Sequence, residues 1–138
     1  MAAGSEDVRS ALRQLAEALL ADAERVAARS VARMRELLPS YAKVPAEALT
    51  PVTLANTRNV LEAVRDPEAD PTRAQDHFRM SGETRVRQGI TADEMLQAWR
   101  IGLEVVREEA HRVADRLGIG ETCCSSSSKR PCSGATSG

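Results

Sequence analysis

One phenylalanine, one tyrosine and one tryptophan, at Phe78, Tyr41 and Trp99, are all the aromatics in the chain. A β-sandwich or barrel fills its pleated faces with aromatic and β-branched side chains, so this scarcity argues against one. Cysteine is missing from the body of the sequence. Cys123, Cys124 and Cys132 cluster near the C-terminus, which leaves no disulfide framework to staple a fold. No run approaches the roughly 18 uninterrupted apolar residues of a membrane span. Glu6, Asp7 and Arg9 stand where a secretory signal would place a basic start and an apolar stretch. The protein is therefore expected in the cytoplasm, with no membrane partner. Charge excess is lacking too: 19 Lys and Arg face 20 Asp and Glu, for a net charge of -1. That balance offers no footprint for a phosphate backbone, so this domain itself is not expected to contact nucleic acid.

What the chain does have is small and aliphatic apolar residues in a helical rhythm. Its 138 residues suit one domain with a real core. From about residue 5 to 38, Val8, Leu12, Leu15, Leu19, Ala23, Val26, Ser30, Met34 and Leu37 recur at three-and-four spacing. The spacing predicts one long amphipathic helix or two nearly collinear ones, with Ser5 as a cap. Pro39 ends it, because the residue before a proline is pushed out of helical geometry. Residues 41–50 read as a connector. Thr50 followed by Pro51 reads as an N-cap with proline at the first helical position. The second helix then runs to about Arg65 on Val52, Leu54, Ala55, Val60, Leu61 and Val64.

Asp66 to Pro71 is loop, and Thr72 can cap a third helix that ends near Gln88, with Gly89 as its left-handed terminus. Thr91 and Glu94 form a capping box. It opens a fourth helix with Ala92, Met95, Trp99, Gly102, Val106, Ala110, Val113 and Leu117 on one stripe, stopped by Gly118. The expected fold is all-α: a bundle of four or five helices with a long N-terminal helix, occupying residues 5–118.

Chemistry is hard to find in these elements. The cysteines match no common zinc spacing, no nucleophile stands beside a base, and no glycine loop could cradle phosphate. No metal, no other cofactor and no catalytic residue is expected, and the protein is read as a non-enzyme. His77 and His111 fall off the apolar stripes, where exposed surface is the expected fate of both. Two segments are different. Arg85 and Arg87 lie beside the helix end at Gly89, and Trp99 and Arg100 adjoin Gly102, where a neighbouring helix could approach closely. These five residues are the candidate interaction surface.

The same segments carry a family resemblance. The long first helix, Pro39 with Tyr41, the proline-bearing connector, Arg85 to Gly89, the capped start at Thr91 and above all Trp99-Arg100-Ile101-Gly102 resemble the RsbRD-type N-terminal domain. That domain occurs in stressosome co-antagonist proteins and at the front of PucR-like transcription regulators. The similarity covers roughly residues 8 to 118. It implies a helical regulatory domain, often upstream of a DNA-binding or STAS output domain, with no catalytic residues to carry over.

The sequence thus reads as a regulatory input or dimerisation domain of a bacterial transcription or stress-response regulator, lacking its output domain here. It would pair with itself or with a regulatory partner protein, since a long apolar stripe can continue across a subunit interface. The alternative is a small-molecule or haem sensor with a globin-like helical pocket. Residues 119–138, rich in Ser and Gly, are expected to be disordered. They also read as a candidate frameshift: one nucleotide early, every Cys codon becomes Leu, Met or Val. An early stop in that shifted frame of the gene would eliminate the idea.

Overall fold

The computed structural model describes residues 2–118, with side chains from Asp7 onward. Those residues are all-α. Six helices follow in order: α1 (Ala2–Ala21), α2 (Ala23–Leu37), α3 (Pro39–Ala42), α4 (Ala46–Arg65), α5 (Thr72–Arg87) and α6 (Ala92–Leu117). The expected tail and its frameshift lie outside the described residues.

The long first stripe is realised as two helices. Asp22 leaves helical geometry at φ -115° and ψ 20°, and its carboxylate accepts from Arg25 Nε at 2.8 Å. Aspartate competes with the backbone in this way and is a poor interior helix residue. Leu15 through Met34 keep the predicted face inward, but Val8, Leu12 and Leu37 at its ends are exposed. Leu38 is extended, and Pro39 opens the short α3 at its first position. Arg35 then reaches back to close the turn, donating to the carbonyls of Ala42 and Val44.

The second helix begins earlier than its proline suggests. It starts at Ala46, behind Pro45, and Pro51 lies inside it. Pro51 forfeits the bond its N–H would donate to Glu47 O, and Thr50 Oγ1 donates to Ala46 O at 2.8 Å instead of capping. Burial decides the matter. The extra turn brings Leu49 to 0% exposure, worth about 2 kcal/mol. The buried line on α4 is Leu49, Thr53, Thr57 and Leu61, turned away from the purely aliphatic set. Pro51→Ala should therefore raise stability by about 1 kcal/mol, because the restored helical bond and the relieved ring clash outweigh the roughly 0.4–1 kcal/mol of freedom returned to the unfolded chain. Urea unfolding checks this, since a proline at a true helix start would make the change neutral or harmful.

α5 begins at Thr72, one position before the expected register, and it is Asp70 Oδ1 that accepts from Thr72 N at 3.1 Å. The end matches expectation. Gly89 sits at φ 86°, its N–H donates to Val86 O, and the N–H of Ile90 reaches Arg85 O. That is a Schellman closure, with Ile90 buried. At the start of α6 only half of the capping box forms. Glu94 N donates to Thr91 Oγ1, but the Glu94 carboxylate turns away and accepts from Ser40 N at 3.0 Å. It ties α6 to the first turn of α3, where an orphan N–H needs an acceptor.

α2 is central. It packs on α4, α6 and α3, while α1 packs on α4 and α6, and α5 leans on α4 and α6. One apolar cluster gathers around Val31, Met34, Tyr41, Leu49, Ile90 and Ala98. A second joins Leu19, Val26, Leu61, Val105 and Val113.

Candidate functional site

Two constructions stand out from ordinary packing, and both place charge where a helical bundle has least use for it. The first follows from the end of α5. The Schellman closure fixes Arg85 on the inner side of the last turn, and Arg85 is the only buried residue of the whole helix. It is 5% exposed. Its Nη2 donates to Thr53 Oγ1 at 2.9 Å and to Leu49 O at 3.3 Å, and its Nη1 donates to Gln88 Oε1 at 3.0 Å. The guanidinium carbon lies 5.5 Å from the centre of the Tyr41 ring, a cation–π distance. Every one of these partners is neutral. Burial pushes the guanidinium below its ordinary pKa, with nearby Tyr41 opposing. Burial likewise pushes the Tyr41 hydroxyl up, against the positive charge of Arg85.

Arg85 looks into a cleft of roughly 100 Å³ bounded by α2, α3, α4, α5 and α6. Its lining is apolar along Met34, Val60, Phe78, Met95, Trp99 and Val106, and polar around Ser30, Tyr41, Thr53, Asn56, Thr57 and Ser81. Arg85 is the one charged residue of that lining. α5 is held across it by few contacts: the Phe78 and Trp99 rings meet edge to face at 5.2 Å and 73°, and Ser81 Oγ donates to Asn56 Oδ1 at 3.0 Å.

The five sequence candidates separate here. Arg85, Trp99 and Gly102 all line the cleft, whereas Arg87 and Arg100 are exposed and outside it. Gly102 does not serve a close helix approach. A Cβ there would meet only Met34 Cε, at an ordinary 3.6 Å. Gly102→Ala should accordingly stabilise the fold by about 0.5–1 kcal/mol through helix propensity. A fall in the thermal midpoint would reveal a tighter fit than this. His77 and His111 are exposed and neither lines the cleft. Among the described residues no group of His, Cys, Asp and Glu could hold a metal ion.

The second construction is a charged clamp between α2 and α6. Glu109 is fully buried. Its Oε1 accepts from Arg25 Nη2 at 2.6 Å, its Oε2 accepts from Arg29 Nη1, and Arg112 stands 3.8 Å away. The neighbouring Glu108 accepts from Arg29 Nη2 at 2.9 Å and from Arg33 Nη1 at 3.1 Å. Hydrogen bonding from Arg25, then from Arg29, holds the Glu109 carboxyl down at about 2 against its own burial. Arg33 and Arg29 lower Glu108 in the same sense. Sequence reading missed this network because Glu109 broke no apolar stripe that had been drawn. The buried residues of α6 are Ala98, Val105, Glu109, Val113 and Ala114; apart from Val113, which the expected stripe contains, they lie one residue round from it or, for Ala114, beside it, and Leu117 on the expected stripe is 50% exposed. The readable signal was Arg25, Arg29 and Arg33 at four-residue spacing, a cationic row on one helix face.

A family model described as the RsbT co-antagonist protein rsbRD N-terminal domain matches residues 24–122. The match takes in α2 to α6 and leaves α1 ahead of it. No curated protein and no solved structure matches the chain.

Proposed function

Because the chain belongs to the family of RsbT co-antagonist protein RsbRD N-terminal domains, we propose that it is a non-enzymatic regulatory input domain. It takes its signal in the cleft beneath α5 and passes it on by pairing. The observation that carries this reading is the attachment of α5. A helix of 16 residues with a single buried side chain, Arg85, buries little apolar surface and opens at low cost, as switching elements do. Hydrogen exchange tests it. Amides of α5 should exchange at least about 100-fold faster than those of α2 and α4, and equal protection of all three would remove the switch.

Pairing has its own support. Leu96 and Leu103, three and four residues to either side of Trp99 on the same face of α6, are 67% and 50% exposed, Arg100 is exposed on that helix, and α5 exposes Met80 and Val86 at 60% and 62% with Arg87. An apolar patch edged by charge is the make-up of an interface between copies or with a regulatory partner. Light scattering should give the mass of a dimer for the full chain and of a monomer for the Leu96→Glu, Leu103→Glu double variant. A monomeric wild type at high concentration would overturn self-pairing.

The sensor half of this reading is favoured without haem. A space of about 100 Å³ is on the scale of a benzene-sized guest and far too small for a porphyrin. No helix among the described residues is long and apolar enough to cross a membrane.

A further inference from the structure

Arg85 is a charge the fold does not neutralise. Among the described residues it forms no ion pair, while Arg25, Arg29, Arg33 and Arg79 all find carboxylates. Its partners are a backbone carbonyl, a hydroxyl, an amide and a ring. Removing a guanidinium from water with only neutral acceptors costs stability. A lysine or arginine serving packing alone would instead lay its stem on the surface and keep its head in water. The nearby acid Glu94, which acts on Tyr41, spends its carboxylate on Ser40 N. Among the described residues nothing supplies the counter-charge, which leaves the guanidinium open to an anion from outside the bundle.

The cleft specifies what would bring it. One cation, and no second, lines the space. That suits a single negative charge better than a phosphate dianion, and a planar carboxylate matches the guanidinium fork. Thr53, whose hydroxyl donates to Leu49 O and accepts from Arg85 at 2.9 Å, holds the guanidinium in place at that end. The rest of the wall, including Met95, Trp99 and Val106, takes an apolar body. At about 100 Å³ the space is on the scale of the roughly 150 Å³ engineered cavity that admits benzene, so that body is short.

We propose that the cleft binds a short amphipathic monocarboxylate, its carboxylate paired with Arg85 and its apolar part lying against Trp99. The inference rests on the sensor reading of the cleft and adds the chemical class of the signal. Ion pairing at Arg85 would exchange neutral partners for an opposite charge in a desolvated setting, where charge-assisted bonds are strongest. It would also fasten the one buried point of α5.

Trp99 is the only tryptophan, so its fluorescence reports the cleft directly. The full chain is titrated with hexanoate, 1-hexanol and hexyl phosphate. Hexanoate is expected to shift Trp99 emission saturably and to bind at least about tenfold more tightly than 1-hexanol. Arg85→Met should abolish that ratio while leaving hexanol binding in place. Arg85→Lys, which keeps the charge and loses the fork, should fall between. Should Arg85→Met fail to fold, the comparison of acid with alcohol on the wild type still decides. Equal binding of hexanoate and hexanol would overturn the carboxylate assignment yet leave a ligand-binding cleft standing. Tighter binding of hexyl phosphate would overturn it in favour of a phosphate. No response to any of the three would overturn it as well, and the exchange behaviour of α5 would then judge the sensor reading separately.

Discussion

Glu109→Ala should cost about 3 kcal/mol of folding stability, measured as a lowered urea midpoint. Breaking a buried ion pair from one side costs roughly 3–5 kcal/mol when the orphaned charge stays buried. Here the abandoned partners sit near water, with the Arg25 and Arg29 side chains 43% and 30% exposed, so they can rehydrate and the cost falls at the low end. The same exposure makes the reverse deletion milder. Arg25→Met should lose about 1 kcal/mol, because Glu109 keeps Arg29. Equal losses from both sides would place the buried charge elsewhere than on α6.

Acid gives an independent view of the same pair. The Glu109 carboxyl is held at about 2, below the ordinary 4.5, so the unfolded chain binds this proton more readily than the folded one. Its stabilisation is complete above about pH 5 and is lost as the pH falls towards 2, amounting to roughly 3 kcal/mol in full. Glu108 is lowered too and adds in the same direction. Glu109→Gln should flatten this acid limb. A wild type with the same urea midpoint at pH 7 and pH 3 would sink the assignment.

Periodicity revealed the longer helices and their order because amphipathic spacing is written in every turn, whereas the four-residue α3 is too short to carry a period and fell at the start of the expected connector. The ends that depended on proline, glycine and threonine geometry divide by mechanism. Pro39, Gly89 and Gly118 act locally and stop helices where a local rule says they should. Pro51 and Glu94 are overruled by partners distant in sequence. Leu49 gains enough burial to carry α4 past its proline, and Ser40 N competes for the Glu94 carboxylate. The site was legible in part for the same reason. Arg85, Trp99 and Gly102 were singled out as unusual beside helix ends and glycines, and they converge on one cleft. Thr53 and Glu109 were passed over because an apolar stripe drawn from hydrophobicity alone skips polar residues that are buried through a partner, and Tyr41 entered only through the family resemblance.

Leu49 is where the two readings of the chain differ most in energy. In an exposed connector, Leu49→Ala would cost under about 0.5 kcal/mol. In the fold it is fully buried in the cluster with Tyr41, Val44 and Ile90, and its carbonyl accepts from both Thr53 Oγ1 and Arg85 Nη2. Loss of its side chain leaves a cavity beneath that carbonyl, so Leu49→Ala should cost about 3 kcal/mol by the transfer and cavity terms. Leu96→Ala, on a residue 67% exposed, is the control and should stay within about 0.5 kcal/mol. Thermal and urea unfolding of the pair would separate the outcomes. Because Leu49 also supports the turn that receives Arg85, its loss should loosen α5 beyond the change in global stability, visible as faster exchange of α5 amides under conditions where α2 remains protected.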